Sequence, residues 1–318
     1  MIAIGNRTKQ EEKDSTEYHK TDAATVESMN RIDSQIRPVT DTFQHVLKNK
    51  IIDRNFNESF SSFKEYEYTD DANLIDWEAS ARISAAGSSQ DRFYIRTDMN
   101  SHNTDICILH DISASMFFGT QDRLKSEYAS VLAGMITHAA INNGNGAGII
   151  FFNSKVREYI APEKGKSQYS KILEKLAADD ICCEGCNIKD AIKTAVGTLN
   201  QNSVLFIISD FIGIDKKDGE WVHFLKDAAL KFKTVVGIMI RDIRDSKLPA
   251  GIGIMRVRDP VTDNVARVDI DGIRQTYEAE AKIQESYMSR LFNGCGAELI
   301  KYYTTDNHIA PIAKHFNA

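Results

Sequence analysis

Asp111, Ser113 and Ser115 put three hard oxygen donors at alternate positions of one short segment, Asp111-Ile112-Ser113-Ala114-Ser115-Met116. The segment follows an apolar run at 106–109, so it begins where a strand ends. A second acid, Asp210, closes another apolar run at 204–209. In an open parallel sheet the loops at the carboxyl ends of neighbouring strands meet over one crevice, which lets carboxylates about a hundred positions apart converge. Two carboxylates and two hydroxyls, all oxygen, suit a hard cation such as Mg²⁺ or Mn²⁺, which takes few protein ligands and keeps several waters. A coordination position left to water is one that a carboxylate from another protein can take.

The elements that must position these residues are legible from periodicity. Strand-length apolar runs at 106–109, 147–152, 156–160, 204–209, 235–240 and 299–302 alternate with segments of helical period. That alternation predicts crossover units on a mainly parallel α/β sheet covered by helices on both faces. Leu124, Tyr128, Val131, Leu132, Met135, Ile136 and Ala139 form one helical stripe, and Trp221, Phe224, Leu225, Ala228, Ala229 and Phe232 form another. A hairpin-like elaboration is expected at 252–270, turning at Asp259 and Pro260. A last helix, capped by Thr305 or Asp306, would bury Ile309, Ile312, Ala313 and Phe316.

Residues 1–30 are polar and lack sustained periodicity, which reads as a flexible tail. Residues 31–100 read as an N-terminal arm, with two short helical pieces broken at Pro38 and then an aromatic and acidic block. Residues 101–318 form the main domain. In the arm, Asp70, Asp71 and Asp76 suit a turn, and Trp77 suits an aromatic anchor packing the arm onto that domain.

Composition removes several function classes. The chain of 318 residues carries 45 acidic against 39 basic side chains, a net charge of -6, so no basic footprint for nucleic acid exists. No apolar run approaches a membrane span, and the polar start lacks the apolar stretch of a secretory signal, so a cytoplasmic protein is expected. Five cysteines do not suggest a disulfide framework. Cys182, Cys183 and Cys186 include one metal-like spacing, but structural zinc needs four ligands, so they read as reduced thiols in a loop.

The segment 111–116 after its strand resembles the Asp-x-Ser-x-Ser signature of the metal-ion-dependent adhesion site in von Willebrand factor A domains. Residues 64–82, KEYEYTDDANLIDWEASAR, are similar to a block in the A-domain proteins encoded beside MoxR-type AAA+ ATPases, the family called domain of unknown function fifty-eight. Ile208-Ser209-Asp210-Phe211, Leu248-Pro249 and Asp306 agree in order, and the likeness runs from about residue 55 to the C-terminus. The resemblance implies a von Willebrand factor A-like fold and a non-enzymatic protein-binding module. It also implies a partner that supplies a carboxylate to the metal, and cooperation with a MoxR-type AAA+ ATPase in assembling or maturing other proteins. The family's metal-contacting threonine falls at Cys186, in Glu184-Gly185-Cys186-Asn187. A neutral thiol is a poor magnesium ligand, so Asn187 or water would have to serve there, or the metal would bind weakly or not at all.

Two other functions compete. An apolar strand ending in aspartate also opens aspartyl-phosphate enzymes and receiver domains. Ser113, however, stands where the phosphatase needs its general acid, and no glycine-rich phosphate loop or Gly-x-Ser-x-Gly elbow is present. A metal-free scaffold is the other reading. His110 is read as a packed loop residue, and the run Arg241, Asp242, Arg244, Asp245 as a solvated charge pattern.

Overall fold

A computed structural model describes residues 23–52, 62–67, 75, 77, 80, 93–97, 104–120, 123–178, 184–214, 219–259, 261–262 and 264–317. In chain order the first elements are α1 (Ala23–Ile36), α2 (Thr40–Val46), and the short strands β1 (Ser62–Glu65) and β2 (Tyr94–Thr97). The main domain follows with β3 (Asp105–Asp111), α3 (Lys125–Asn142), β4 (Gly146–Phe152), β5 (Val156–Glu163), α4 (Lys166–Ala177) and α5 (Ile188–Thr198). It continues with β6 (Val204–Ser209), α6 (Glu220–Lys231), β7 (Thr234–Arg241), the one-turn α7 (Ile243–Ser246), β8 (Ile254–Arg258) and β9 (Val265–Asp269). The last elements are α8 (Ile270–Gly294), β10 (Glu298–Tyr303) and α9 (Ala310–Asn317).

Six strands form one sheet in the order β10-β7-β6-β3-β4-β5, parallel except for the β4/β5 edge pair. This is the mainly parallel α/β sheet, flanked by helices on both faces, that the sequence predicts. β3, β4 and β6 are buried along nearly their whole length, as apolar strands in a covered sheet must be. Alternate side chains divide between two cores. Ile106, Ile108, Phe206 and Ile238 face α3, whereas Cys107, Leu109, Leu205 and Ile207 face the side of α5, α6 and α8. β8 and β9 pair antiparallel as the expected hairpin, with Ile254 and Val265 exposed.

α3 is buried on almost every side rather than along one stripe. Its second neighbour is the N-terminal segment, where Ile36, Phe43, Leu47 and Ile51 are fully buried in the core that contains α3. At Gly134 of α3 a Cβ would fall 2.5 Å from Ile36 Cδ1, so glycine permits this close approach. Burying each such side chain contributes about 1.5–3 kcal/mol, which makes the segment part of the domain's stability.

The tail expected at residues 1–30 is corrected from Ala23 onward, because α1 already starts there. The reason is tertiary: Met29, Ile32 and Ile36 form an apolar stripe along α1 that docks on the core. The break at Pro38 is present as a 3₁₀ turn, Arg37–Val39. Asp70, Asp71 and Asp76 lie outside the described residues, and so do Cys182 and Cys183. Trp77 is 65% exposed and meets Phe93 edge-on, so it does not anchor in the core. Thr305 and Asp306 do not cap the last helix, which starts at Ala310; the Asp306 carboxylate instead accepts the Tyr303 N–H at 2.7 Å. Among the described residues no helix is long and apolar enough to cross a membrane.

Candidate functional site

β3 and β6 are neighbours with His110 opposite Ile208, which brings Asp111 and Asp210 to the same end of the sheet. Asp111, Ser113, Ser209 and Asp210 are all buried to within 1% exposure, and Ser115 is half-buried. Their polar atoms form one chain. The Ser113 N–H donates to Asp111 Oδ1 at 2.8 Å, and Ser209 Oγ donates to Asp111 Oδ2. The Ser113 and Ser115 hydroxyls lie 3.3 Å apart, and Ser115 Oγ donates to Asp210 Oδ1 at 3.1 Å. The expected residues are thus brought together.

Local backbone holds this arrangement. A 3₁₀ turn at Ala114–Phe117 folds the serines back over the strand end. After β6 the chain turns through Phe211, whose φ of 52° lies in the left-handed region that bulky residues avoid. Its N–H donates to Ser209 Oγ, and the Ile212 N–H to Asp210 Oδ1, both at 2.9 Å. Strain of this kind survives where surrounding bonds over-determine it.

Cys186 arrives from the second loop, tied in by the Ala114 N–H donating to the Glu184 carbonyl at 2.9 Å. Its thiol lies 3.4 Å from Asp111 Oδ2. Burial, with Asp111 and then Asp210 beside it, pushes the Cys186 thiol well above its ordinary range, so it stays protonated and donates. Asn187 is not available in its place, because its side chain caps α5, accepting from the Asp190 N–H and donating to the Asp190 carboxylate.

Lys125 was not legible as a site residue. From the first turn of α3 its ammonium donates to Asp210 Oδ2 at 2.7 Å and to Asp245 Oδ2 at 3.0 Å, with 1% of its side chain exposed. The available signal was a basic residue opening a mostly apolar helix, where an acid is the usual choice. The run Arg241, Asp242, Arg244, Asp245 is likewise corrected: Arg241 and Asp242 are buried, because Thr120 grips Asp242 through both its N–H and its hydroxyl, at 2.9 and 2.6 Å. His110 is buried in β3 beside Phe151, and its Nδ1 has no hydrogen-bond partner among the described residues, so it is not paired with Asp111.

The electrostatic balance is the site's main property. Asp210, Asp242 and Asp245 lie around one buried ammonium, Asp111 adjoins Asp210, and excess negative charge in a dry site is costly. Burial, reinforced by Asp210, pushes the Asp111 carboxyl up to about 6. The cluster gains from one more positive charge. Asp111, Ser113, Ser115 and Asp210 Oδ1 fit a hard divalent cation in donor type, while Lys125 satisfies the other Asp210 oxygen. The Cys186 sulfur fits it poorly. Among the described residues no three His, Cys, Asp or Glu side chains form a metal cage, so any such ion would depend on the serine hydroxyls.

Two uncharacterized mycobacterial proteins, Rv1480 of Mycobacterium tuberculosis and Mb1516 of Mycobacterium bovis, are each 24% identical over 254 residues, 78% of this chain and 75% of theirs. Among solved structures, an aerotolerance-related membrane protein from Bacteroides fragilis shares 17% identity at a TM-score of 0.46, over 67% of this chain and 96% of that one. BatB from Bacteroides thetaiotaomicron shares 19% at 0.41, over 66% and 99%. The SpRpn10 VWA domain shares 11% at 0.40, over 68% and 95%. The family described as "Protein of unknown function DUF58" matches residues 62–287, and the chain belongs to that family.

Proposed function

We propose that this protein is a non-enzymatic, cytoplasmic protein-binding module whose Asp111, Ser113, Ser115 and Asp210 hold Mg²⁺ or Mn²⁺ and capture a carboxylate of a partner protein. In this reading residues 101–318 carry the binding domain, and the protein works with a MoxR-type AAA+ ATPase in assembling or maturing other proteins. The observation that carries it is the unbroken polar chain from Asp111 through Ser113 and Ser115 to Asp210 at adjacent strand ends. When bound, the ion supplies an open position for the incoming carboxylate. The protein's part is to neutralise Asp210 partly through Lys125 and to hold Asp111 through Ser209 and the Ser113 N–H, keeping the serine hydroxyls beside both carboxylates.

An aspartyl-phosphate enzyme has less support, since both Asp111 oxygens are engaged and Ser113 offers no general acid. The metal-free scaffold is favoured by two observations, the Lys125 ammonium on Asp210 and the thiol in the second loop.

Calorimetric titration with Mg²⁺ and Mn²⁺ separates the readings. Saturable heat that disappears in Asp111→Ala and Asp210→Ala is expected. Absence of heat in the parent protein rejects the metal-dependent module. Capture of the purified MoxR-type ATPase from the same cell, with Mg²⁺ and with chelator, tests the partner.

A further inference from the structure

A cavity of about 250 Å³ lies between α1, α3, the ends of β3 and β4, and the last turn of α4. A second, more open cleft adjoins it at the turn 304–308, and Gln35 and Arg123 line both. Among the described residues seven buried side-chain polar atoms have no hydrogen-bond partner, and four of them, Gln35 Oε1, His110 Nδ1, Thr304 Oγ1 and His308 Nε2, belong to residues lining these two spaces. His110 and Thr304 are more than nine-tenths buried. Each such atom left without a hydrogen bond costs about 1–3 kcal/mol, so four around two adjoining spaces imply something that satisfies them.

The charges there are asymmetric. Arg31 pairs with Glu127 at 2.6 Å, Lys175 with Glu158 at 3.1 Å, and Arg157 with Glu184 at 3.7 Å. Arg123, between the two spaces, makes no ion pair within 4.0 Å among the described residues, and Asp306, which also lines the open cleft, accepts the Tyr303 N–H instead. Val131, Phe151 and Leu176 supply apolar wall. Water could satisfy the neutral atoms, but it would neither balance a guanidinium nor favour those walls.

We propose that the joined cavity binds a small organic anion, with its carboxylate or phosphate oxygens on Arg123 and its apolar body against Val131, Phe151 and Leu176. Thr304 donates to the headgroup, and Gln35 Oε1 accepts from a donor on the ligand body. A guanidinium offers planar paired donors that match either headgroup. The enclosed part, about 250 Å³, has room for an aryl-sized body. Ile112 and Phe117 also line the cavity, so the ligand would lie beneath the loop that carries Ser113 and Ser115.

Calorimetry of the full chain with benzoate, phenyl phosphate, inorganic phosphate and neutral benzamide tests this. At least one aryl anion should bind saturably at about 1 mM or tighter, which is ordinary for a ligand of this size. Benzamide should bind at least about tenfold more weakly, and Arg123→Gln should weaken the anion by a similar factor. Ser126→Phe, which fills the cavity from α3, should abolish binding and decides the matter if Arg123→Gln does not fold. The exposed control Lys171→Gln should bind as the parent does. No saturable heat with either aryl anion, equal binding of benzamide, or undiminished affinity in both cavity variants would overturn the proposal. The headgroup class is read from which aryl anion binds more tightly.

Discussion

The Lys125 ammonium lies 2.7 Å from Asp210 Oδ2, and neither side chain reaches solvent. This single contact ties the start of α3 to the end of β6, and through Asp245 it also reaches the turn after β7. It places a basic side chain beside the candidate metal position. Removing one partner of such a buried pair leaves the other charge dry and unbalanced, which is far costlier than never having had the pair.

Lys125→Met should therefore destabilise the protein by about 3–5 kcal/mol in chelator, as measured by urea denaturation. If Asp210 holds a divalent ion, Mg²⁺ should restore part of that loss in the variant and add less to the parent. Equal Mg²⁺ responses in the two proteins would show that Lys125 and the metal do not share Asp210.

Cys186→Thr replaces a protonated thiol 3.4 Å from Asp111 Oδ2 with a hydroxyl of similar reach. Mg²⁺ affinity should rise about tenfold, because oxygen is the better donor to a hard ion. Calorimetry reads the change directly. Unaltered affinity would mean that the second loop contributes nothing to the ion.

Stability in chelator should fall on the acid side of neutrality. Burial holds His110 and His308 down to about 4 from 6.5, so between these values the unfolded chain is protonated and the fold is not. Stability therefore declines as pH drops through that window. Asp111 acts in the opposite sense: its carboxyl is raised to about 6 from 3.8, so the fold takes up that proton first and gains as pH falls. His138, also lowered by burial, acts in the same sense as the other two histidines, and the net loss from pH 7 to 4 should be on the order of 3 kcal/mol or more. Denaturation across this range should show a steeper decline in Asp111→Asn and a shallower one in His308→Asn.

Gly148→Ala should cost about 1–3 kcal/mol by overpacking, since its Cβ would fall 2.7 Å from both the Ile160 carbonyl oxygen and the Pro162 nitrogen. Backbone atoms of a paired edge strand cannot move aside as a side-chain tip can. Thermal denaturation checks this. A melting temperature equal to the parent's would show that the β4/β5 pairing has slack at its register shift.

The strands and the order of chemistry along the chain were legible in the residues themselves. Apolar runs such as 204–209 match their strand end to end, because a strand covered on both faces has no polar side to blur its limits. Asp111 and Asp210 could be assigned to one crevice for the same reason: each stands at the carboxyl end of a buried strand, and neighbouring parallel strands end together. What lies across from a residue was beyond reach. The polar-looking start of α1 is helical only because three apolar side chains find the far side of α3. The run Arg241 to Asp245 looks solvated until Thr120 and Lys125 close over it. Periodicity reports which way a side chain points along its own element, whereas burial of charge depends on partners 85 and 120 positions away, and only the folded chain brings those within hydrogen-bond reach.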